Sequence, residues 1–364
     1  MILMNDFKAE PEELKRAQAA AAERVIRSGW YVLGSEVQAF EKQWAARCGM
    51  AHCLGVGNGM DAIEIGLRAL GIGPGDEVVT TPMTAFATVL AVLRAGATPV
   101  LADIDPATAL LDPASVERCL TPKTKAVVLV HLYGQLRGMD RWVSLCRGAG
   151  IALLEDCAQS HGAAHDGRVA GSFGECGAYS FYPTKNLGTL GDGGAIVTDR
   201  KDLAGLASQL RNYGQSQRYH HPLLGMNSRL DEMHAALLSS RLPWLDGFTA
   251  RHRAVAAAYS ASIRSARVRA LAPPLHPDNH VHHLFVVLTD KRDDLIAHLK
   301  ARGIEAQIHY PIPVHLQEPC RGVARDPNGL PHAEAHAARC VSIPCHPQLP
   351  ESDVDAVIAA VNTF

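Results

Sequence analysis

Short apolar runs bounded by glycine, proline or acidic residues alternate with longer amphipathic stretches through most of this chain. The runs lie at 53–56, in GDEVVTTP (75–82), TPVLADID (98–105) and KAVVLVHLYG (125–134), and at 151–154, 177–182 and 195–198. Runs this short, with such punctuation, read as buried strands. Helices are predicted between them at about 61–70, in TAFATVLAVLRAG (84–96) and DPASVERCL (112–120), and at 139–149. Strands separated by helices of this length imply crossover connections, hence a largely parallel sheet with helices on both faces.

The flanks read as helical. Pro11 suits a first turn, EELKRAQAAAAERVIR (12–27) is rich in strong helix formers, and Gly29 stops the run. WYVLGSEVQAFEKQWAARCG (30–49) turns at Gly34 and restarts with Ser35 as the predicted N-cap; Val37, Phe40, Trp44 and Ala45 then recur at helical spacing. Beyond 199 the chain is helical in DLAGLASQLRNYG (202–214), polar over 215–230, and helical again over 231–266 with an interruption at Pro243. HHLFVVLT (282–289), DLIAHLKARG (294–303) and EAQIHY (305–310) read as strand, helix and strand, and a last helix covers 351–361. The predicted class is α/β, with a large unit over 1–240 and a smaller C-terminal α+β unit over 241–364.

Composition removes alternatives. Of 364 residues, 47% are hydrophobic and 20% charged, as in ordinary globular proteins. A net charge of −2 supplies no basic field for nucleic acid or an anionic membrane surface. No apolar run reaches the length of a membrane span and no basic-plus-apolar leader opens the sequence, so a cytoplasmic location is expected. The 9 cysteines are scattered without a C-x-x-C, which suits a reducing compartment and argues against a disulfide framework or zinc ribbon. The 18 histidines fall mostly singly, and no metal site is expected.

Candidate chemistry concentrates between 151 and 199. The first run there ends in Glu155–Asp156, the second carries Lys185 into a glycine-rich turn, and the third follows at once. As neighbouring strands, they would present a carboxylate and an amine to one cleft, where open α/β sheets bind ligands. Such a lysine is either a solvated loop residue or a Schiff-base lysine carrying pyridoxal 5′-phosphate (PLP). That cofactor needs an acid at its pyridinium nitrogen and hydroxyls and amides around its phosphate. Asp156, Ser180 and the Asn58–Gly59–Met60 turn would meet those needs together with Lys185. Taken alone, the turn is either a phosphate cradle or a plain strand-to-helix connection. It is not a dinucleotide fingerprint, because the G-x-G-x-x-G spacing is broken around Gly55, Gly57 and Gly59.

Ordered motifs then carry a resemblance. They are SGWYVLGSEVQAFE (28–41), GVGNGMDA (55–62), GIGPGDEVV (71–79), AGATPVLADIDP (95–106), TKAVVLVHLYGQ (124–135), EDCAQSHGA (155–163), GAYSFYPTKNLGTLGDGGAIVT (177–198), RNYG (211–214), GMNSRLDEMHAALL (225–238), HLFVV (283–287) and IHYPIPVHLQ (308–317). Through them the chain resembles, end to end, the DegT/DnrJ/EryC1/StrS family of PLP-dependent sugar aminotransferases. The resemblance implies a fold-type I PLP-dependent transferase. It implies Lys185 as the cofactor-bearing lysine and proton shuttle, Asp156 as the pyridinium partner, and Gln159 beside the phenolic oxygen. Ala158 would lie against one ring face, and Ser180 with the amides of Gly59 and Met60 would hold the phosphate. Asn227 resembles an asparagine that reaches a phosphate in the neighbouring subunit, which implies a homodimer with shared sites.

Phe86 is expected to cover the ring, although relatives often place the aromatic one residue earlier, where this chain has Ala85. Tyr31, Tyr182, His309, Tyr310 and His315 are expected to line the sugar site. The implied reaction moves an amino group from an amino-acid donor, L-glutamate, to the keto carbon of a nucleotide-linked sugar, dTDP-3-keto-6-deoxyhexose. The alternatives are amination of a 4-keto sugar, a PLP-dependent sugar dehydratase or lyase, and a non-catalytic regulatory member of the fold. The dehydratase branch carries histidine where this chain has Lys185.

Overall fold

The computed structural model describes residues 1–364. Its main sheet runs, in spatial order, His52–Val56, Gly194–Thr198, Cys176–Ser180, Ala152–Asp156, Thr124–Val130, Glu77–Thr80, Thr98–Leu101 and Ala324–Arg325. Gly194–Thr198 is antiparallel to both neighbours, and every other pairing is parallel. The three runs around Lys185 are therefore adjacent, as predicted, with the last of them reversed.

Successive side chains on a strand turn to opposite faces. Val127, Leu153 and Val197 pack under helices Ser35–Cys48, Met139–Ala149 and Glu232–Arg241. Val128, Leu154 and Ile196 pack under Gly59–Ala69 and Lys201–Leu210. Both faces are dry, so the strands read as continuous apolar runs rather than alternating ones. Parallel strands also bring their C-terminal ends to one edge, where Asp156 and Ser180 lie; Gly194 starts its reversed strand there, opposite Ser180 and Val56.

The C-terminal part holds an antiparallel sheet of Arg269–Ala270, Phe285–Leu288 and Cys340–Ile343. Helices Leu245–Ser262, Arg292–Lys300 and Glu351–Asn362 cover it through Val255, Leu295 and Val357. Backbone links also join it to the earlier part of the chain: Ala324–Arg325 pairs with the edge strand Thr98–Leu101, Gln135 bridges to His280, and Ile2 bridges to Ile304. EAQIHY, predicted as a strand, contributes only a bridge from Gln307 to Ser342. The helix predicted over 231–266 is divided into Glu232–Arg241 and Leu245–Ser262 by a 3₁₀ turn at Leu242–Trp244, where Pro243 has no N–H to donate.

The start of Ser35–Cys48 also differs from expectation. Gly34, not Ser35, is the N-cap, and no local side chain caps the helix. Instead the buried Glu232 carboxylate accepts from the amides of Gly34 (2.8 Å), Glu36 (2.9 Å) and Val37 (2.9 Å). A negative charge at a helix N-terminus is favourable, and this one satisfies donors that the helix cannot. Glu232→Ala strands those amides and is expected to cost about 2–4 kcal/mol in urea unfolding. Glu232→Gln, which keeps an acceptor oxygen, should cost less; equal losses in the two variants would refute this account.

Candidate active site

Glu155 and Asp156 close one strand, and the pleat sends them apart. Glu155 accepts from the amides of Gly171 (2.9 Å), Phe173 (2.7 Å) and Gly174 (3.0 Å) and meets His131 Nε2 at 2.9 Å. That carboxylate fastens the loop after Asp156 back onto the sheet. Asp156 is also buried but less fully bonded: Oδ1 accepts from the Ala158 amide (3.1 Å) and Oδ2 from Thr88 Oγ1 (2.8 Å). Burial raises the Asp156 pKa, while these two donors and the charge of Lys185 pull it back. A carboxylate offers about four lone-pair sites, so acceptor capacity remains.

Lys185 lies in the turn between Cys176–Ser180 and Gly194–Thr198, its amide bonded to the Tyr182 carbonyl at 2.9 Å. The residue keeps partial solvent contact. Burial nevertheless lowers its ammonium pKa from 10.5 to about 8, with Asp156 opposing the shift.

Opposite these groups, Asn58 caps helix Gly59–Ala69 by accepting from the Asp61 amide at 2.8 Å. A Cβ on Gly59 would stand 2.6 Å from Ser180 Cβ, so only glycine lets this helix N-terminus seat against the strand end. The Gly59 and Met60 amides belong to the first turn and have no intrahelical acceptor. Beside Ser180 they form a concave, partly positive site suited to phosphate.

Gln159 links the main sheet to the C-terminal part. Its Oε1 accepts from the Tyr133 amide at 2.6 Å, and its Nε2 donates to Tyr310 Oη at 3.3 Å. Tyr133 Oη in turn donates to the His309 carbonyl at 2.5 Å. Burial, then the charge of Asp156, pushes the Tyr310 phenol up to about 12. Burial, then Lys185, pushes His309 down to about 4, and its Nδ1 lies 2.8 Å from Ser342 Oγ. At neutral pH both side chains are uncharged.

The other predicted residues have no hydrogen bond to Asp156, Lys185 or Gln159. Phe86 opens helix Phe86–Arg94 and packs, half-buried, against the cluster containing Met83 and Tyr133. Two helical residues span about 200°, so Phe86 and Thr88 do not share a face. His315 is buried with Nε2 3.0 Å from Glu334 Oε1. Tyr31 and Tyr182 are 56% and 51% exposed, and Asn227 is exposed with its backbone bridged to Asn212. Tyr133, which lies just beyond a predicted strand where a cleft role was open, touches the site through Gln159. Thr88 touches it through Asp156 although sequence reasoning gave it no role; the i, i+4 pair Thr84 and Thr88 after a strand end was the available signal.

The DegT/DnrJ/EryC1/StrS aminotransferase family matches residues 12–362. The chain belongs to this family. A dTDP-3-amino-3,4,6-trideoxy-alpha-D-glucose transaminase of Streptomyces venezuelae is 46% identical over 99% of this chain and 95% of its own length. A pleiotropic regulatory protein of Geobacillus stearothermophilus is 42% identical over 99% of this chain and 98% of its own. The crystal structure of S. venezuelae DesV in complex with a ketimine intermediate superposes with a TM-score of 0.95 at 45% identity, covering 100% of this chain and 98% of that one.

As a member of this family the chain is a PLP-dependent aminotransferase. Its residues fit the cofactor: Asp156 retains lone pairs for a pyridinium N–H, Lys185 has a lowered pKa, and the Gly59 turn is cleared of side chain beside Ser180.

A lowered lysine pKa has a direct consequence, because only the neutral amine is a nucleophile. In the cofactor-free protein, trinitrobenzenesulfonate labelling of Lys185 should reach half its maximal rate near pH 8. An unshifted lysine would titrate near 10.4. Peptide mapping of label against pH checks this, and a midpoint above pH 10 would contradict it.

Proposed function

We propose that this aminotransferase moves an amino group from L-glutamate to the C3 keto carbon of a dTDP-linked 3-keto-6-deoxyhexose. The observation that carries the reading is the buried Asp156 carboxylate, held by Thr88 and Ala158 with lone pairs to spare, in the same pocket as a Lys185 whose charge acts on it. Full-length similarity to a dTDP-3-amino sugar transaminase supports the choice of sugar and position. When bound, PLP supplies the electron sink and amine carrier for the transfer.

In this reading Asp156 keeps a negative charge at the ring nitrogen, and Gln159 offers an N–H beside the phenolic oxygen. Gly59, Met60 and Ser180 hold the phosphate, and Phe86 and Ala158 belong to the cofactor's surroundings. Lys185, near its pKa at physiological pH, both anchors the cofactor and carries the proton between the two carbons that exchange the amine. Tyr310 and His309, uncharged and pinned to Gln159 and Ser342, face the sugar with hydrogen-bonding groups that add no charge. Tyr31, Tyr182 and His315 complete the sugar wall. The proposal also takes residues 1–240 as the cofactor-binding unit and 241–364 as the smaller one, in a cytoplasmic enzyme.

A homodimer with shared sites belongs to the same proposal. Asn227 is exposed, and Trp30, Tyr31, Tyr182, Leu190 and Leu224 leave large apolar side chains on the surface. Apolar groups of this size in number support an interface rather than a solvated face.

Glutamate-dependent turnover of a panel of nucleotide keto-sugars, read by mass and NMR, tests the substrate. The expected product is the 3-amino dTDP sugar; a 4-amino product, or deoxygenation with ammonia release, rejects the assignment. Lys185→Ala should fall to background in the same assay, and near-native turnover would sink the mechanism.

The shared site has its own test. Mixing inactive Lys185→Ala and Asn227→Ala proteins leaves one intact site in each hybrid dimer. Activity should recover towards about a quarter of wild type if Asn227 serves the partner's site, and no recovery argues against sharing.

A further inference from the structure

Asp156 receives one side-chain hydrogen bond, and it comes from Thr88, at 2.8 Å. Thr88 Oγ1 also lies 2.8 Å from Thr84 Oγ1. All three groups are buried, with Thr88 at 1%, Thr84 at 4% and Asp156 at 5% exposure. A threonine hydroxyl has one proton, and an ionised carboxylate can only accept. With Asp156 as an anion, Thr88 must spend its proton on Oδ2, so Thr84 must be the donor to Thr88. The chain Thr84→Thr88→Asp156 therefore has a fixed direction, and each bond polarises the next.

We propose that Thr88, backed by Thr84, is a positioning residue that holds the Asp156 carboxylate as an anion, with its remaining lone pairs turned to the ring nitrogen of the cofactor. The inference rests on the PLP reading above. It follows from what surrounds Asp156. The titratable groups that face it are Lys185 and, more weakly, His131, together with Tyr310 and Cys157, which burial and its charge keep protonated; none of the four is hydrogen-bonded to it. The Ala158 amide occupies Oδ1, so Thr88 is the one protein donor to Oδ2. Removing a donor from a buried carboxylate makes it a stronger base. The proton shared between the ring nitrogen and Asp156 would then move to the carboxylate, leaving both neutral and the ring a poorer electron sink.

Thr88→Val keeps the shape and removes the donor; Thr88→Ser keeps the donor. The holoenzyme is loaded with PLP labelled with ¹⁵N at the ring nitrogen, and its ¹⁵N chemical shift reads protonation directly. Wild type and Thr88→Ser should give the protonated value. Thr88→Val should move towards the unprotonated value and lose about ten- to a hundredfold in kcat, the size expected for a hydrogen bond to a charged group, with KM for glutamate changed far less. Thr84→Val should move the shift in the same direction by less. A folded Thr88→Val protein with the wild-type nitrogen shift overturns the proposal, as does a Thr88→Ser protein that behaves like it. If Thr88→Val does not fold, an unchanged shift in Thr84→Val overturns it instead. A wild-type chain that takes up no PLP removes the parent reading as well, which separates the two failures.

Discussion

The rest of the site depends on two consecutive carboxylates, Glu155 and Asp156, buried at the end of a dry strand. Removing an ionised carboxylate from water costs several kcal/mol unless it is hydrogen-bonded. Glu155 is fully bonded, to three amides and a histidine. That arrangement fixes the loop carrying Ala158 and Gln159, and so sets where the neighbouring carboxylate and amide can reach. Asp156 receives two donors and keeps capacity for a third partner. The difference is what separates a structural acid from one available for chemistry.

Around Lys185 the electrostatics run the same way. His161 is driven down to about 3 and His309 to about 4, in each case by burial first and the lysine's charge second. His161 sits among Trp44, Tyr179 and Phe181, with neither ring nitrogen bonded. Neutral imidazoles bring dipoles close to the amine without adding positive charge. The lysine is thus lowered by burial, and the charge of Asp156 opposes that shift. A pair in which each group moderates the other's shift stays responsive to a cofactor whose own charge changes.

The strand-and-helix alternation, the adjacency of the three runs near Lys185 and the glycine turn at 57–59 were legible because each is a local pattern with a local cause. Buried parallel strands must be apolar on both faces, and a helix N-terminus packed on Ser180 requires glycine at 59. What escaped has no local signature. Glu232 caps a helix that begins almost two hundred positions earlier, and Ala324–Arg325 extends a sheet whose other strands all precede residue 199. Thr88 lies two residues beyond the aromatic Phe86, in a stretch that reads only as an apolar helix. Its contact with Asp156 depends on the rotation of a helix against a strand 68 positions away.

The same reasoning bears on the groups that a single chain leaves unused. Tyr31, Tyr182 and Asn227 are solvent-exposed here, although the sugar and phosphate roles proposed for them require an enclosed site. Tyr31 is not loose: its carbonyl accepts from the Glu232 amide at 3.1 Å, next to the carboxylate that caps Ser35–Cys48. A backbone that is already ordered adds little to the entropy lost when its side chain is covered. In the dimer proposed above, burial of these residues against a second copy is what those roles require, and the ordered backbone at Tyr31 is already in place for it.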